Sequence, residues 1–264
     1  MVVKNSRPGP RYSRRVLVFN PNSSASMTDK FEPILAALPL AAGTTITYWT
    51  CPTGPAIITS QADMEESVAH CLPLLLKLAP DYDGFLGACY ADHPIVRLMQ
   101  KHMGTRPVVG IFDASVFAAL QLLGPTSRFG IITTGAPYEA LLTRGVRTLL
   151  GDDRRDLARF AGVAASGVGM ADVPERPLEE CLEARRKIGE ATTKMIQQEG
   201  DGEVDVLCMG GVLLAGMEAW VHEASEAMGR EVEVIDQMAA GMLTLDALLG
   251  RRRLDSVDYR LALK

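Results

Sequence analysis

Arg15-Val16-Leu17-Val18-Phe19-Asn20-Pro21-Asn22-Ser23-Ser24 is the stretch that decides how the rest of the chain reads. Four apolar residues in a row are too few for a buried helix and fit a strand covered on both faces. The polar turn after it opens a helix to about residue 38, with Ser26 and Asp29 at capping-box spacing and Pro33 placed to kink it or delay its start. A buried strand feeding directly into a helix begins a parallel α/β sheet. The same alternation continues with strands over residues 44–50, 84–88 and 108–112 and helices over 62–78 and 113–123.

From residue 128 the order starts again, with strands over 128–133, 160–168, 204–207 and 232–235 and a helix through Leu249. Landmarks recur in sequence: Asn20 and Thr133 end the first strands, Cys89 and Cys208 follow later ones, and Asp113 and Asp236 close the last. Leu122-Leu123-Gly124 is echoed by Leu248-Leu249-Gly250. The pattern predicts two similar α/β parallel-sheet domains related by a pseudo-twofold, with the active site in the cleft between them. A disordered basic tail is expected over 1–14, a first repeat over 15–124 and a second over 125–264, whose C-terminal segment is free to cross back onto the first. The boundary rests on Gly124-Pro125.

Composition narrows the function classes. Of 264 residues, 47% are apolar and 22% charged, which excludes a mostly disordered chain, and 24 glycines without a period exclude a collagen-like one. No apolar run nears the ~20 residues of a membrane-spanning helix. Net charge is −5 although Lys4, Arg7, Arg11, Arg14 and Arg15 precede the first acid, so the body is more acidic still. That balance argues against nucleic-acid binding, which needs clustered cations. Pro8-Gly9-Pro10 interrupts any amphipathic targeting helix in the basic leader. The five cysteines are odd in number and widely spaced, which reads as reduced thiols in a cytoplasmic protein. The four histidines show no zinc-site spacing, and Asp172 breaks the dinucleotide fingerprint begun by Gly167-Val168-Gly169, so neither metal nor cofactor is expected. The expected partner is a small-molecule substrate, with no nucleic acid and no membrane; a homo-oligomer stays open.

Ligands of open α/β sheets bind at the carboxyl ends of strands, where Cys89 and Cys208 are expected. On equivalent strands the two thiols would face each other across the cleft, the arrangement a racemase needs to take a proton from one side of a carbon and return one to the other. A helix beginning near Asp92 and Pro94 would lower the Cys89 pKa through its N-terminal dipole. Cys51, Cys71 and Cys181 read as structural, and His93 as a surface residue at a helix start. Asp113 and Asp236 read as helix N-caps. Gly210-Gly211 would allow close approach of backbone N–H groups to a ligand.

The chain resembles the aspartate/glutamate/hydantoin racemase superfamily, and within it the hydantoin racemase branch that includes allantoin racemase-like proteins. The resemblance is carried by Val18 through Ser24, Gly54-Pro55-Ala56, Ala88-Cys89-Tyr90-Ala91-Asp92, Phe129-Gly130-Ile131-Ile132-Thr133-Thr134, Leu207-Cys208-Met209-Gly210 and Val234-Ile235-Asp236. It implies two flavodoxin-like domains and a cofactor-independent racemase of 5-monosubstituted hydantoins, allantoin among them. Cys89 and Cys208 would be its acid/base pair, and Asn22, Ser23, Thr133 and Thr134 would hold the ring's polar edge. Tyr90, Met209 and Gly210, beside the cysteines, complete the expected substrate-contacting set. The sequence departs from the family at Tyr90-Ala91-Asp92-His93-Pro94 and at Leu207-Cys208-Met209-Gly210-Gly211, where Met209 replaces a small residue. A related decarboxylase or cis–trans isomerase, and a non-catalytic sensor using the same cleft, are the alternative readings.

Overall fold

The computed structural model describes residues 13–151, 153–173, 177 and 180–254, the last three by their backbone. The first half runs β1 (Arg14–Asn20), α1 (Ala25–Thr28), α2 (Phe31–Ala36), β2 (Thr44–Thr50), α3 (Gln61–Leu78), β3 (Gly84–Gly87), α4 (Pro94–His102), β4 (Val108–Gly110) and α5 (Ile111–Leu122). The second runs β5 (Ser127–Thr133), α6 (Pro137–Leu150), α7 (Arg154–Ala158), β6 (Phe160–Ala165), α8 (Leu182–Ile196), β7 (Glu203–Gly210), α9 (Glu218–Glu226), β8 (Glu233–Ile235) and α10 (Gln237–Leu254). Two parallel four-stranded sheets result, ordered β2-β1-β3-β4 and β6-β5-β7-β8. The orders are the same once the halves are superposed strand for strand, so the fold is α/β and built twice.

Strand alternation sorts the apolar residues into three layers. Leu17, Phe19 and Phe85 pack outward with Leu75, Ile95 and Met99 of α3 and α4. Ile132, Leu207 and Met209 pack outward with Ile188 and Val221 of α8 and α9. Val16, Val18 and Leu86 of one sheet, and Ile131 and Cys208 of the other, turn inward to a shared core containing α5 and α10. Small residues let the halves approach. A Cβ on Gly241 of α10 would lie 2.9 Å from both Leu86 and Ile111, and one on Gly145 of α6 would lie 3.0 Å from Asp92 and Phe112. Thus α10 lies against the first half, where Asp246 also pairs with Arg14 at 2.7 Å.

Several local expectations are corrected. Arg14 is buried within β1, not part of a tail, while residues 1–12 lie outside the described residues. The first helix is split into α1 and α2; Pro33 supplies no N–H, and Ser24, not Ser26, is the N-cap, without a side-chain cap bond. A capping box forms instead at α3, where Ser60 accepts from the Asp63 N–H and the Asp63 carboxylate accepts from that of Ser60. Asp113 is not a cap: α5 already begins at Ile111 with Gly110 before it. Cys181, read as structural, is buried just before α8. No helix among the described residues is long and apolar enough to cross a membrane.

Asp236 does behave as a cap, accepting from the Ala239 N–H at the start of α10. Burial first, and then the Glu218 carboxylate beside it, push its pKa from 3.8 to about 6, outweighing the Ala239 bond. The folded protein therefore favours the neutral carboxyl. Its stabilising contribution is complete below pH ~4 and disappears as pH rises through 6, on the order of 3 kcal/mol. Asp236→Asn keeps a capping side chain and removes the titration. Denaturant unfolding at pH 4 to 7 should show the wild type losing ground to the variant across that window; parallel curves would refute the assignment.

Candidate active site

The carboxyl ends of both sheets open on one cleft of about 330 Å³, within the range of small-molecule sites. From the first half, Asn22, Ser24 and Met27 after β1, Ile57 and Ile58 after β2, and Cys89 and Tyr90 after β3 line it. From the second half, Thr133 at the end of β5, Thr134 and Tyr138 after it, Val168 and Met170 after β6, and Gly210 through Leu213 at the end of β7 line it. Of the residues expected from sequence, Asn22, Cys89, Tyr90, Thr133, Thr134 and Gly210 meet here. Ser23, Met209 and Cys208 are not among the lining residues.

Local hydrogen bonds explain the β1 loop. The Asn20 amide donates to Ser24 O and Thr28 Oγ1, and its Oδ1 accepts from the Asn22 N–H, so the buried Asn20 holds the turn from within. Asn22 Oδ1 in turn accepts from the Ser24 N–H at 2.9 Å. Ser23 is a brace: its hydroxyl donates to Gly54 O and its N–H to Pro55 O, fastening the β2 loop that carries Ile57 and Ile58. Thr133 spends its hydroxyl on Gly210 O at 2.7 Å, tying β5 to β7. Thr134, one residue on, is half-buried and has no side-chain hydrogen bond among the described residues.

The strand register separates the two cysteines. In the first half Phe19 pairs with Gly87, and the Ala88 N–H donates to Phe19 O. In the second, Ile132 pairs with Met209 and Thr133 with Gly210. Phe19 and Ile132 each precede the last residue of a first strand, so Gly87 corresponds to Met209, Ala88 to Gly210, and Cys89 to Gly211. Cys208 corresponds to Leu86, three positions deeper, and both turn into the shared core. Cys208 is fully buried there, and its thiol donates to Ser115 O at 3.7 Å. The expectation of two thiols facing each other is therefore not met. Met209 points to the opposite, outer face and is likewise fully buried.

Tyr90 lies between Cys208 and the cleft. Its ring stacks edge-on against Phe112 at 5.4 Å, and its hydroxyl is 3.1 Å from Ser115 Oγ and within hydrogen-bonding reach of Cys208. A Cβ on Gly210 would come within 2.7 Å of Ile131, 2.9 Å of Ile132 O and 3.1 Å of the Tyr90 ring. Gly210 is thus required by close packing at the junction of the halves. Gly210→Ala should destabilise by about 1–3 kcal/mol through overpacking; unchanged unfolding midpoints would show that the junction relaxes freely.

Burial also reverses the expected electrostatics of the thiol. Cys89 is pushed up to about 12, because loss of solvent penalises the thiolate. The helix dipole does not offset this: α4 starts at Pro94, and the dipole field falls off within a turn. His93, expected on the surface, is buried and caps α4, its Nδ1 accepting from the Ile95 N–H; burial lowers its pKa to about 4. None of the described residues that line the cleft is charged. Sequence reading missed Tyr138, Ile57 and Met170. Pro137 at a helix start was a usable signal for Tyr138, whereas the apolar Ile57 and Met170 carried none.

The model of the family described as Asp/Glu/Hydantoin racemase matches residues 16–245. An uncharacterized Schizosaccharomyces pombe protein is 31% identical over 238 residues, covering 89% of this chain and 92% of that one. The hydantoin racemase of Paenarthrobacter aurescens is 25% identical over 241 residues, 89% of this chain and 91% of its own. Among solved structures, allantoin racemase from Pseudomonas fluorescens superposes with a TM-score of 0.70 at 21% identity, covering 89% and 90% of the two chains. Two sheets of one topology sharing a cleft, and a sequence match over nearly the whole chain, show that this protein belongs to the Asp/Glu/hydantoin racemase family, a family of isomerases.

Proposed function

We propose that the protein moves the C5 proton of 5-monosubstituted hydantoins bearing an apolar substituent, with Cys89 as the proton carrier and no cofactor. The observation that carries this reading is a thiol in a cleft with no charged side chain among the described residues of its lining. Free aspartate and glutamate would bring an ammonium and two carboxylates into that lining unpaired, at a cost of several kcal/mol per ion. Malonate or maleate, the substrates of a decarboxylase or cis–trans isomerase, would bring two. A hydantoin ring is uncharged and needs only hydrogen bonds, which Asn22, Ser24 and Thr134 can supply. Met27, Ile57, Ile58, Met170 and Leu213 offer the remaining surface to an apolar substituent, which favours this class over allantoin.

In the reaction the Cys89 thiolate takes the C5 proton and the electron pair moves into the C4 carbonyl as an enolate. A thiol with a pKa near 12 is a strong base once ionised, but little of it is ionised at neutral pH. Cys89 is also the one cysteine of the five that is not fully buried. Its alkylation by iodoacetamide should therefore climb about tenfold per pH unit from pH 7 to 10 without levelling off. A plateau near pH 8.5 would show an ordinary thiol.

Proton exchange at C5 in heavy water tests the assignment. Cys89→Ser should slow it by ~10²–10⁴-fold, the usual contribution of a positioned acid–base group. Cys208→Ala should stay within about threefold of the wild type. Equal losses in both would restore a two-thiol scheme, and faster turnover of allantoin than of 5-benzylhydantoin would remove the apolar-substituent assignment.

A further inference from the structure

Gly211 stands at the position where the pseudo-twofold would place a second Cys89. The two loops correspond residue for residue, Gly87-Ala88-Cys89-Tyr90 against Met209-Gly210-Gly211-Val212, because both are anchored by the same pairing of the third strand on the first. Gly211 lines the cleft and offers no side chain; a Cβ there would meet only Thr134 Cγ2, at 3.4 Å. The nearest thiol of that half, Cys208, is held behind Tyr90 in the shared core. No carboxylate, imidazole or amine of the described residues lines the cleft to take its place.

We infer that this chain carries out one-sided proton transfer: Cys89 removes the C5 proton and returns one to the same face, while the face toward Gly211 has no thiol, carboxylate, imidazole or amine among the described residues to do the same. The inference rests on the hydantoin reading above and concerns which face of the ring reacts. In the forward step the C5–H bond breaks, the proton passes to the Cys89 sulfur and the electron pair enters the enolate. In the return step the S–H bond breaks and C5 is protonated on the side from which it was stripped. Between the two, the thiol proton exchanges with solvent, so heavy water labels C5 with its configuration kept. Inversion then requires the planar enolate to turn over in the cleft or to accept a proton from solvent on the Gly211 side. Exchange accordingly outpaces racemisation, and only the enantiomer that presents its C5–H to Cys89 exchanges quickly.

The experiment follows each separate enantiomer of 5-benzylhydantoin in heavy water with the full-length protein, reading deuterium by mass spectrometry and configuration by chiral chromatography, after subtraction of the protein-free rate. The expected result is deuteration with retention in one enantiomer at least tenfold faster than its inversion, and at least tenfold faster than deuteration of the other. Deuteration coupled one-to-one to inversion from both enantiomers would overturn the one-sided scheme while leaving the hydantoin reading intact. Tyr138→Phe provides a second reading, since its hydroxyl comes from the half opposite Cys89: a variant that keeps exchange but loses inversion would assign the second face to Tyr138 and overturn the inference. No exchange above the protein-free rate in either enantiomer or in 5-isobutylhydantoin would overturn the substrate reading, and the inference with it.

Discussion

The register of β7 on β5 is the constraint on which the chemistry of the cleft depends. A strand advances about 3.3 Å per residue and alternates faces, so an offset of three residues moves a side chain about 10 Å along the strand and turns it over. Cys208 undergoes both changes relative to Cys89. It becomes a core residue beside Ser115 and Tyr90, and the cleft position passes to Gly211. A difference too small to notice in sequence spacing thus separates a symmetric two-thiol site from one with a single thiol.

The same packing that seals the core shapes the site. A Cβ on Gly145, Gly210 or Gly241 would come within 2.9 to 3.1 Å of residues of the first half, so the absence of side chains at these positions lets the two halves close onto one interior. Tyr90 crosses that junction, with its ring under Gly210 and its hydroxyl at Ser115. The cleft wall is therefore continuous with the core, and both surviving features of the site, a desolvated thiol and an uncharged lining, follow from that continuity. The same burial keeps the Cys89 thiol protonated, so the base proposed for the reaction is held in its acid form.

Much of the fold was readable from short-range signals. Val16 to Phe19 is apolar without interruption because both faces of β1 are covered, and the paired order of strands followed from the same rule applied along the chain. Boundaries were less legible: α1 and α2 read as one helix because apolar spacing continues through Pro33, and Asp113 read as a cap because nothing local announces that α5 starts at Ile111. In the site, the polar residues after β1 and β5 were recognisable by type and position. Ile57 and Met170 were not, since an apolar loop residue carries no chemical signature until a facing wall exists.

By itself the sequence determined that this is an α/β protein with an internal repeat, that its family is that of the Asp/Glu/hydantoin racemases, and that Cys89 stands at a strand end. Those features depend on neighbours a few residues apart, which propensity and periodicity report directly. Only the tertiary structure decided which residue faces Cys89 across the cleft. That depends on the pairing of β7 with β5, two strands separated by about 70 residues, whose register is set by core packing and hydrogen bonding along their whole length rather than by any local pattern. Cys208 and Gly211 look equally eligible in one dimension, and the sheet assigns the first to the interior and the second to the cleft.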